Sequence, residues 1–422
     1  MKWAIKIDFW KGIVFKYENL FYLFPLAIFL PMIFTNILTI LMLVMIIKES
    51  SFSRWSFILR QDYVLLFLFF YALIFLGFFY DIPINGITND LEKKLSFVII
   101  PIAMVFIKPD YLARRKILMV FFYAGFVAAS ICFLFAIKDY LSVNDTSTFV
   151  NHGFSMHINL HATYLSMYLL FSLSYPIFYY RSVTELRIRR ILLFMSAVTF
   201  FYIILLSSRI VWLLTFITLV VLLVHLVWKF PYLRKKVLLV AITITGLSLI
   251  LFFTKPLNQR LLESFNYNNN YNIEKVWGGR GVRFLIWDSC IDLLKSKPLF
   301  GYGSSKMVQN ELNKLYIEKD YGPLLYMMNK LGKVFNPHNQ YLEEILKFGV
   351  IIGMYFLFIL LLSSWVFLKN KNFLGLFLVF ILFGVSITET ILELNKGIVF
   401  FSFFLPLVWK DLSKSQTNVL NN

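Results

Sequence analysis

The sequence predicts an all-α fold, a polytopic membrane bundle of about twelve transmembrane helices with one large loop on the external side. Three observations carry this. Of 422 residues, 59% are hydrophobic and only 15% charged, against roughly 45–50% apolar in soluble domains. Apolar runs of helix length recur from Leu20 to Trp409 without barrel-type alternation, and within lipid a helix pairs its own backbone groups. Lysine and arginine alternate from one connection to the next, as the positive-inside rule requires.

The predicted spans are 20–33, 36–47, 63–80, 95–107, 117–137, 161–180, 191–206, 210–228, 237–253, 345–368, 373–390 and 397–409. Pro25, Pro31 and Asn36 divide the first apolar run into two short helices. With both termini cytoplasmic, the cytoplasmic pieces hold 23 Lys and Arg and the short external loops hold 5. The net charge of +18 is then largely a topology signal. Clusters such as KPDYLARRK (108–116) and KFPYLRKK (229–236) suit anionic membrane lipids, and no nucleic-acid partner is needed to explain them. The basic, aromatic amino terminus reads as an interfacial segment with no cleavage site. Cys132 and Cys290 are expected to be free thiols.

The chain divides into 1–253 (spans one to nine), 254–344 (the large loop) and 345–422 (spans ten to twelve with a short tail). The loop carries 12 Lys and Arg and is too long to be a mere connector. Its FNYNNNYN run at 265–272 reads as a linker.

Four stretches bear chemistry. In LLSSRIVWLL (205–214), Arg209 interrupts apolar sequence at a cost of about 2.5–3.5 kcal/mol at mid-bilayer. A short 191–206 helix would leave it slightly recessed at the external face. Three roles fit it: snorkelling, pairing with a carboxylate such as Glu389, or holding a phosphate at headgroup depth. In VWGGRGVRFLIWDSCIDLL (276–294), Arg280 and Arg283 fall at the start of an amphipathic helix marked by Phe284, Trp287, Ile291 and Leu294. That end suits an anion gripped bidentately, although solvated arginines on a surface helix fit equally. The ending of GYGSSK (301–306) differs from a phosphate-binding loop. In NPHNQYLEE (336–344), His338 stands at a helix start, where an imidazole can accept a proton at neutral pH and Asn339 or Gln340 could orient it. A purely structural histidine is the plain alternative. In ETILELNK (389–396), Glu389, Glu393, Asn395 and Lys396 gather near the end of the eleventh span. Glu343, Glu344 and Lys347 read as a helix-end charge cluster. His157 and His161 have a metal-binding spacing but no evident third ligand, so no metal is assigned.

Taken together, SSR at the head of a span, Arg283 to Trp287 followed by KPLFGYG, PHNQYLEE before a span, and ETILELNKGIVFFSFF near the end resemble the O-antigen ligase and polymerase family of bacterial membrane glycosyltransferases. HATYLSMYL (161–169) is similar to a histidine-containing stretch in part of that family, whereas residues 149–157 depart from its asparagine-rich pattern. The resemblance implies a donor glycan on undecaprenyl pyrophosphate, transferred without metal or cofactor to a hydroxyl of lipid A core or another glycan. The site would lie on the periplasmic face of the inner membrane. It also implies Arg209 and Arg283 as pyrophosphate ligands and His338 as catalytic base; Arg280 is added on position alone. Glu389, Glu393, Asn339 and Gln340 would be supporting polar groups. Ligase is the first reading and O-antigen or exopolysaccharide polymerase the second. A lipid-linked sugar flippase would instead spread polar residues through central spans, and a non-catalytic glycan-binding protein would tolerate loss of His338.

Overall fold

The computed structural model describes residues 17–49, 52–79, 85–106, 111–229, 232, 279–332 and 334–410. These are helical, and none of them forms a strand. The helices are α1 (Tyr17–Ala27), α2 (Met32–Glu49), α3 (Phe52–Ile58), α4 (Asp62–Ile74), α5 (Asn85–Lys94), α6 (Ser96–Phe106), α7 (Tyr111–Val143), α8 (Ala162–Ser172), α9 (Ser174–Tyr179), α10 (Leu186–Leu206), α11 (Arg209–Lys229), α12 (Gly279–Ser296), α13 (Ser305–Glu318), α14 (Gly322–Leu331), α15 (Gln340–Gly353), α16 (Tyr355–Lys369), α17 (Phe373–Ser386) and α18 (Asn395–Lys410). Eleven predicted spans overlap helices, but the first run breaks at 28–31, before the expected division, so that Pro25 lies inside α1 and Asn36 inside α2. The twelfth, 237–253, lies outside the described residues, as do the 265–272 run and the amino-terminal segment before Tyr17.

The helices are less uniform than twelve plain spans. Among the described residues, three are long and apolar enough to cross a membrane singly: Ala113–Val143, Leu186–Leu206 and Arg209–Lys229. The pair α15 and α16, bent by 70°, would make a fourth. Backbone chemistry explains the breaks. Pro176 removes a donor and crowds the carbonyl four residues back, so 161–180 divides between α8 and α9 at Leu173. Pro31 disfavours helix at Leu30, and the carbonyls of Ile28 and Leu30 accept instead from Lys396 Nζ. Helix α10 is 21 residues long, rising about 31 Å. Only its apolar part, 191–206, is short enough to leave Arg209 recessed. Helix α17 ends at Ser386, four residues before the predicted limit, which leaves Glu389 in a connecting loop.

Helix α18 is the pillar of the bundle. Every residue from Gly397 to Trp409 is buried, as expected for a helix apolar on all sides. Phe404 meets Phe121 of α7 at 4.7 Å and Phe171 of α8 at 5.0 Å, while Phe403 stacks on Phe24 of α1 at 5.1 Å. Farther out, Ile33, Ile37, Ile40, Val44 and Ile47 of α2 form an exposed aliphatic stripe, a surface that suits lipid tails and not water. Hydroxyls inside these helices donate to the carbonyl four residues back, as Thr215 does to Val211 and Ser402 to Ile398, which satisfies them without a partner helix.

A second, smaller core belongs to α12–α14. It gathers Val282, Ile286, Cys290, Leu293, Val308, Leu312, Tyr316 and Leu324 and meets α15 through Leu346. The buried face of α12 is thus Val282, Ile286, Cys290 and Leu293, and Phe284 and Ile291 of the expected face stand about half exposed. Both faces of this helix are apolar, so spacing alone could not choose between them. The two cysteines are free and buried.

The KPLFGYG stretch joins the small core to α15. That helix breaks at Gly349, whose φ is +78°. There the loop supplies missing partners: Val350 N donates to Pro298 O, Tyr302 N to Leu346 O and Gly303 N to Lys347 O, each at 2.8 Å. A side chain at Gly349 would strike Leu299 O at 1.9 Å, so only glycine permits this approach.

Candidate active site

The PHNQ turn is pinned from three directions. Asn336 Nδ2 donates to Thr390 Oγ1 at 2.9 Å, while its Oδ1 accepts from His338 N at 3.1 Å, an Asx turn of the kind asparagine makes readily. Trp287 Nε1 of α12 donates to Pro337 O at 2.9 Å. Asn339 caps α15 by accepting from Leu342 N at 3.0 Å. His338 is consequently held at φ +45°, a left-handed conformation that a non-glycine residue keeps only when its surroundings impose it.

Its imidazole faces Glu389. His338 Nδ1 is 3.8 Å from Glu389 Oε2, too far for a hydrogen bond, and this buried nitrogen has no hydrogen-bond partner. The ring as a whole is 29% exposed. The other oxygen of the same carboxylate accepts from Arg283 at 3.1 Å and from Thr163 Oγ1 at 3.4 Å. Glu389 is 9% exposed, Arg283 31%. Burial opposes ionisation of Glu389 and is the largest single influence. His338, His161 and Arg283 together outweigh it and hold the carboxyl below its ordinary range. One carboxylate thereby joins the predicted base to a predicted anion ligand.

Arg209 opens α11 at the same end of the bundle, half-buried. Asn151 N donates to Leu205 O at 3.2 Å, tying the end of α10 to the segment before α8. The His152 and His161 rings in that segment meet edge to face at 4.4 Å, and Thr163, two residues on, reaches Glu389. Arg209 follows four residues after that tied carbonyl of Leu205. Ser207 makes the two-residue turn possible with a left-handed backbone. Arg280 lies in the first turn of α12, with its side chain outside the described residues. His157 and His161 do not form a helical pair. His157 bonds Asp139 at 2.8 Å, and His161 Nδ1 accepts from Thr163 N at 3.3 Å as a helix cap.

Gln340 and Glu393 belong to a different cluster. Gln340 donates to Glu344 at 2.7 Å and accepts from Leu392 N at 2.7 Å. Glu393 pairs with Lys347 and, at 3.2 Å, with Lys94, and accepts from Ser305 Oγ at 2.6 Å. Lys94 also meets Glu344 at 3.2 Å, and Asp90 accepts from Ser305 N at 3.0 Å. All of these groups are buried or nearly so. What reads in sequence as a helix-end charge cluster is therefore a sealed network tying α5, α13, α15 and the 391–393 turn together. Lys94, Asp90 and Ser305 lie far from the other members in sequence, and no spacing rule marks them. Asn336 and Thr390, which hold the turn that presents His338, were also not singled out by sequence. An asparagine two residues before the histidine was the available signal for the first.

Such a molecule is a helical membrane protein in which an imidazole and a guanidinium, both partly open to solvent, meet one buried carboxylate. Residues 192–357 match a family model described as O-antigen ligase, which supports membership of the O-antigen ligase and polymerase family and, with it, an enzyme of glycosyltransferase type. No curated protein matches the chain. The matched segment contains Arg209, Arg280, Arg283 and His338; Glu389 and Glu393 lie beyond its end.

Proposed function

We propose that the chain is an O-antigen ligase-like glycosyltransferase that moves a glycan from undecaprenyl pyrophosphate to a hydroxyl of lipid A core, at the periplasmic face of the inner membrane. The observation that carries this reading is the meeting of His338 and Arg283, 55 positions apart in the chain, at Glu389. In this reading residues 254–344 form the periplasmic loop between spans one to nine and the last three.

The chemistry requires two tasks and the residues suit each. An attacking sugar hydroxyl must lose a proton, and His338, about one-third exposed with a fixed backbone, can accept it. The departing diphosphate must be stabilised as negative charge grows on it, and the planar guanidinium of Arg283, supported by Arg209 and Arg280, can hold its oxygens in pairs. The acceptor oxygen bonds to the anomeric carbon from the face opposite the diphosphate. The carbon–oxygen bond to the carrier breaks, its electron pair leaves with the diphosphate, and the acceptor proton passes to His338. Inversion results.

The test is transfer by the purified full chain from lipid-linked glycan to lipid A core acceptor. His338→Ala is expected to lower the rate by about 10²–10⁴-fold with the melting temperature preserved. Transfer at the wild-type rate would remove His338 from the mechanism. Replacing lipid A core with a second lipid-linked repeat unit distinguishes ligation from polymerisation.

A further inference from the structure

We propose that Glu389 is a positioning residue that exchanges partners when the donor binds: it holds Arg283 in the empty site and, once diphosphate takes Arg283, turns to His338 and fixes its ring for proton acceptance. The proposal rests on the glycosyl-transfer reading above and adds a residue outside the matched family segment.

Geometry makes the carboxylate an object of competition. Arg283 and Thr163 reach one of its oxygens at 3.1 and 3.4 Å. His338 Nδ1 faces the other across 3.8 Å and is buried without a hydrogen bond. A buried ring nitrogen left so costs about 1–3 kcal/mol, a cost that a carboxylate shift of about 1 Å toward hydrogen-bond distance would relieve. Arg283 opposes that shift while it holds Oε1. An arriving diphosphate offers the guanidinium a doubly charged, bidentate partner and removes the opposition. The imidazole faces Glu389 from the loop after α17, and that carboxylate is also under the influence of Arg283 from α12 and His161 from the start of α8. In the exchanged state Nδ1–H donates to Glu389, which leaves the other ring nitrogen to take the acceptor proton. The carboxylate stays ionised throughout. Donor binding and base activation become one event, so His338 is not primed before a leaving group is in place.

Full-length protein in detergent tests this with inorganic pyrophosphate as probe and with the transfer assay. Glu389→Gln no longer asks pyrophosphate to break an ion pair, so its affinity rises, by up to about fivefold for a pair whose arginine is partly open to solvent. Its kcat falls roughly ten- to a hundredfold, part of what a positioned base supplies, while KM for donor falls or holds. In wild-type protein with ¹⁵N-labelled histidine, pyrophosphate brings a downfield Nδ1–H signal that Glu389→Gln and His338→Ala both lack. Glu389→Asp, which keeps the charge on a shorter arm, retains wild-type pyrophosphate affinity with an intermediate kcat. Unchanged kcat in Glu389→Gln, or weaker pyrophosphate binding with parallel losses in kcat and stability, would overturn the exchange. Failure of the underlying reading shows differently, as wild-type protein that does not bind pyrophosphate and as transfer that survives His338→Ala.

Discussion

Glu389 and Glu393 stand four residues apart on one connecting loop, yet they serve unlike surroundings. Glu389 sits between an imidazole and a guanidinium that are each about one-third exposed. Glu393 is enclosed with Lys347, fully buried, and Lys94, 1% exposed. The spacing would put both on one face of a regular helix. The segment is instead an irregular stretch with a single tight turn at Ile391–Glu393, so the two side chains depart toward different elements. The difference separates two uses of charge. A sealed network fixes the arrangement of helices, and its members cannot be removed singly without leaving a charge stranded. A half-open one is free to exchange partners with a charged ligand.

The largest test of this contrast is Lys347→Met. It takes from Glu343 its 3.3 Å partner and leaves Glu393 with Lys94 alone in a closed interior, and is expected to cost about 3–5 kcal/mol, read as a collapse of the melting temperature in detergent with activity lost alongside the fold. Arg283→Ala should behave oppositely, leaving thermal stability nearly unchanged while pyrophosphate affinity drops roughly 10- to 100-fold, the value of one or two charge-assisted hydrogen bonds. A reversed pattern, with Lys347→Met folded and Arg283→Ala unfolded, would erase the distinction. Trp287→Phe keeps an aromatic ring but loses the bond to Pro337 O. Calorimetry should register about 1 kcal/mol, and turnover should fall a fewfold because the turn presenting His338 loosens.

The smallest effect concerns pH. The Glu389 carboxyl is held below its ordinary range, against burial, by His338, His161 and Arg283. Its contribution to stability is therefore present above the unfolded carboxylate range and is lost as pH falls through the depressed folded value. The melting temperature of Glu389→Gln should accordingly fall less than that of wild type between pH 5 and pH 3 in parallel scans, where about 3.9–4.3 is the ordinary carboxylate value. Parallel curves would mean that the carboxylate gains nothing from its neighbours.

Much of this architecture is legible in the sequence, for physical reasons that also mark the limits. Apolar runs located the helices because burial in lipid or in the bundle demands them. Their breaks were legible where proline forced them, as at Pro31. At α15 the cause is a glycine approached by the backbone of Leu299, a contact from fifty residues away. His338 and Arg283 stood out as polar groups in amphipathic settings. Asn339 and Gln340 stood beside them and were assigned to the same task, but one caps a helix and the other closes the sealed network. Adjacency in sequence does not say toward which side of a turn a side chain leaves. Lys94 was counted as one of two lysines in an external loop, and nothing local shows that Glu344 and Glu393 wait for it.

The docking of KPLFGYG onto the break in α15 has a bearing on protein engineering. Two main-chain amides and one carbonyl of that stretch complete the hydrogen bonding around a helix that cannot complete its own. A chimera that swaps the loop between relatives must carry residues 297–303 and 340–353 as one unit, and deletion of the loop would unravel the helix that bears His338 at its head.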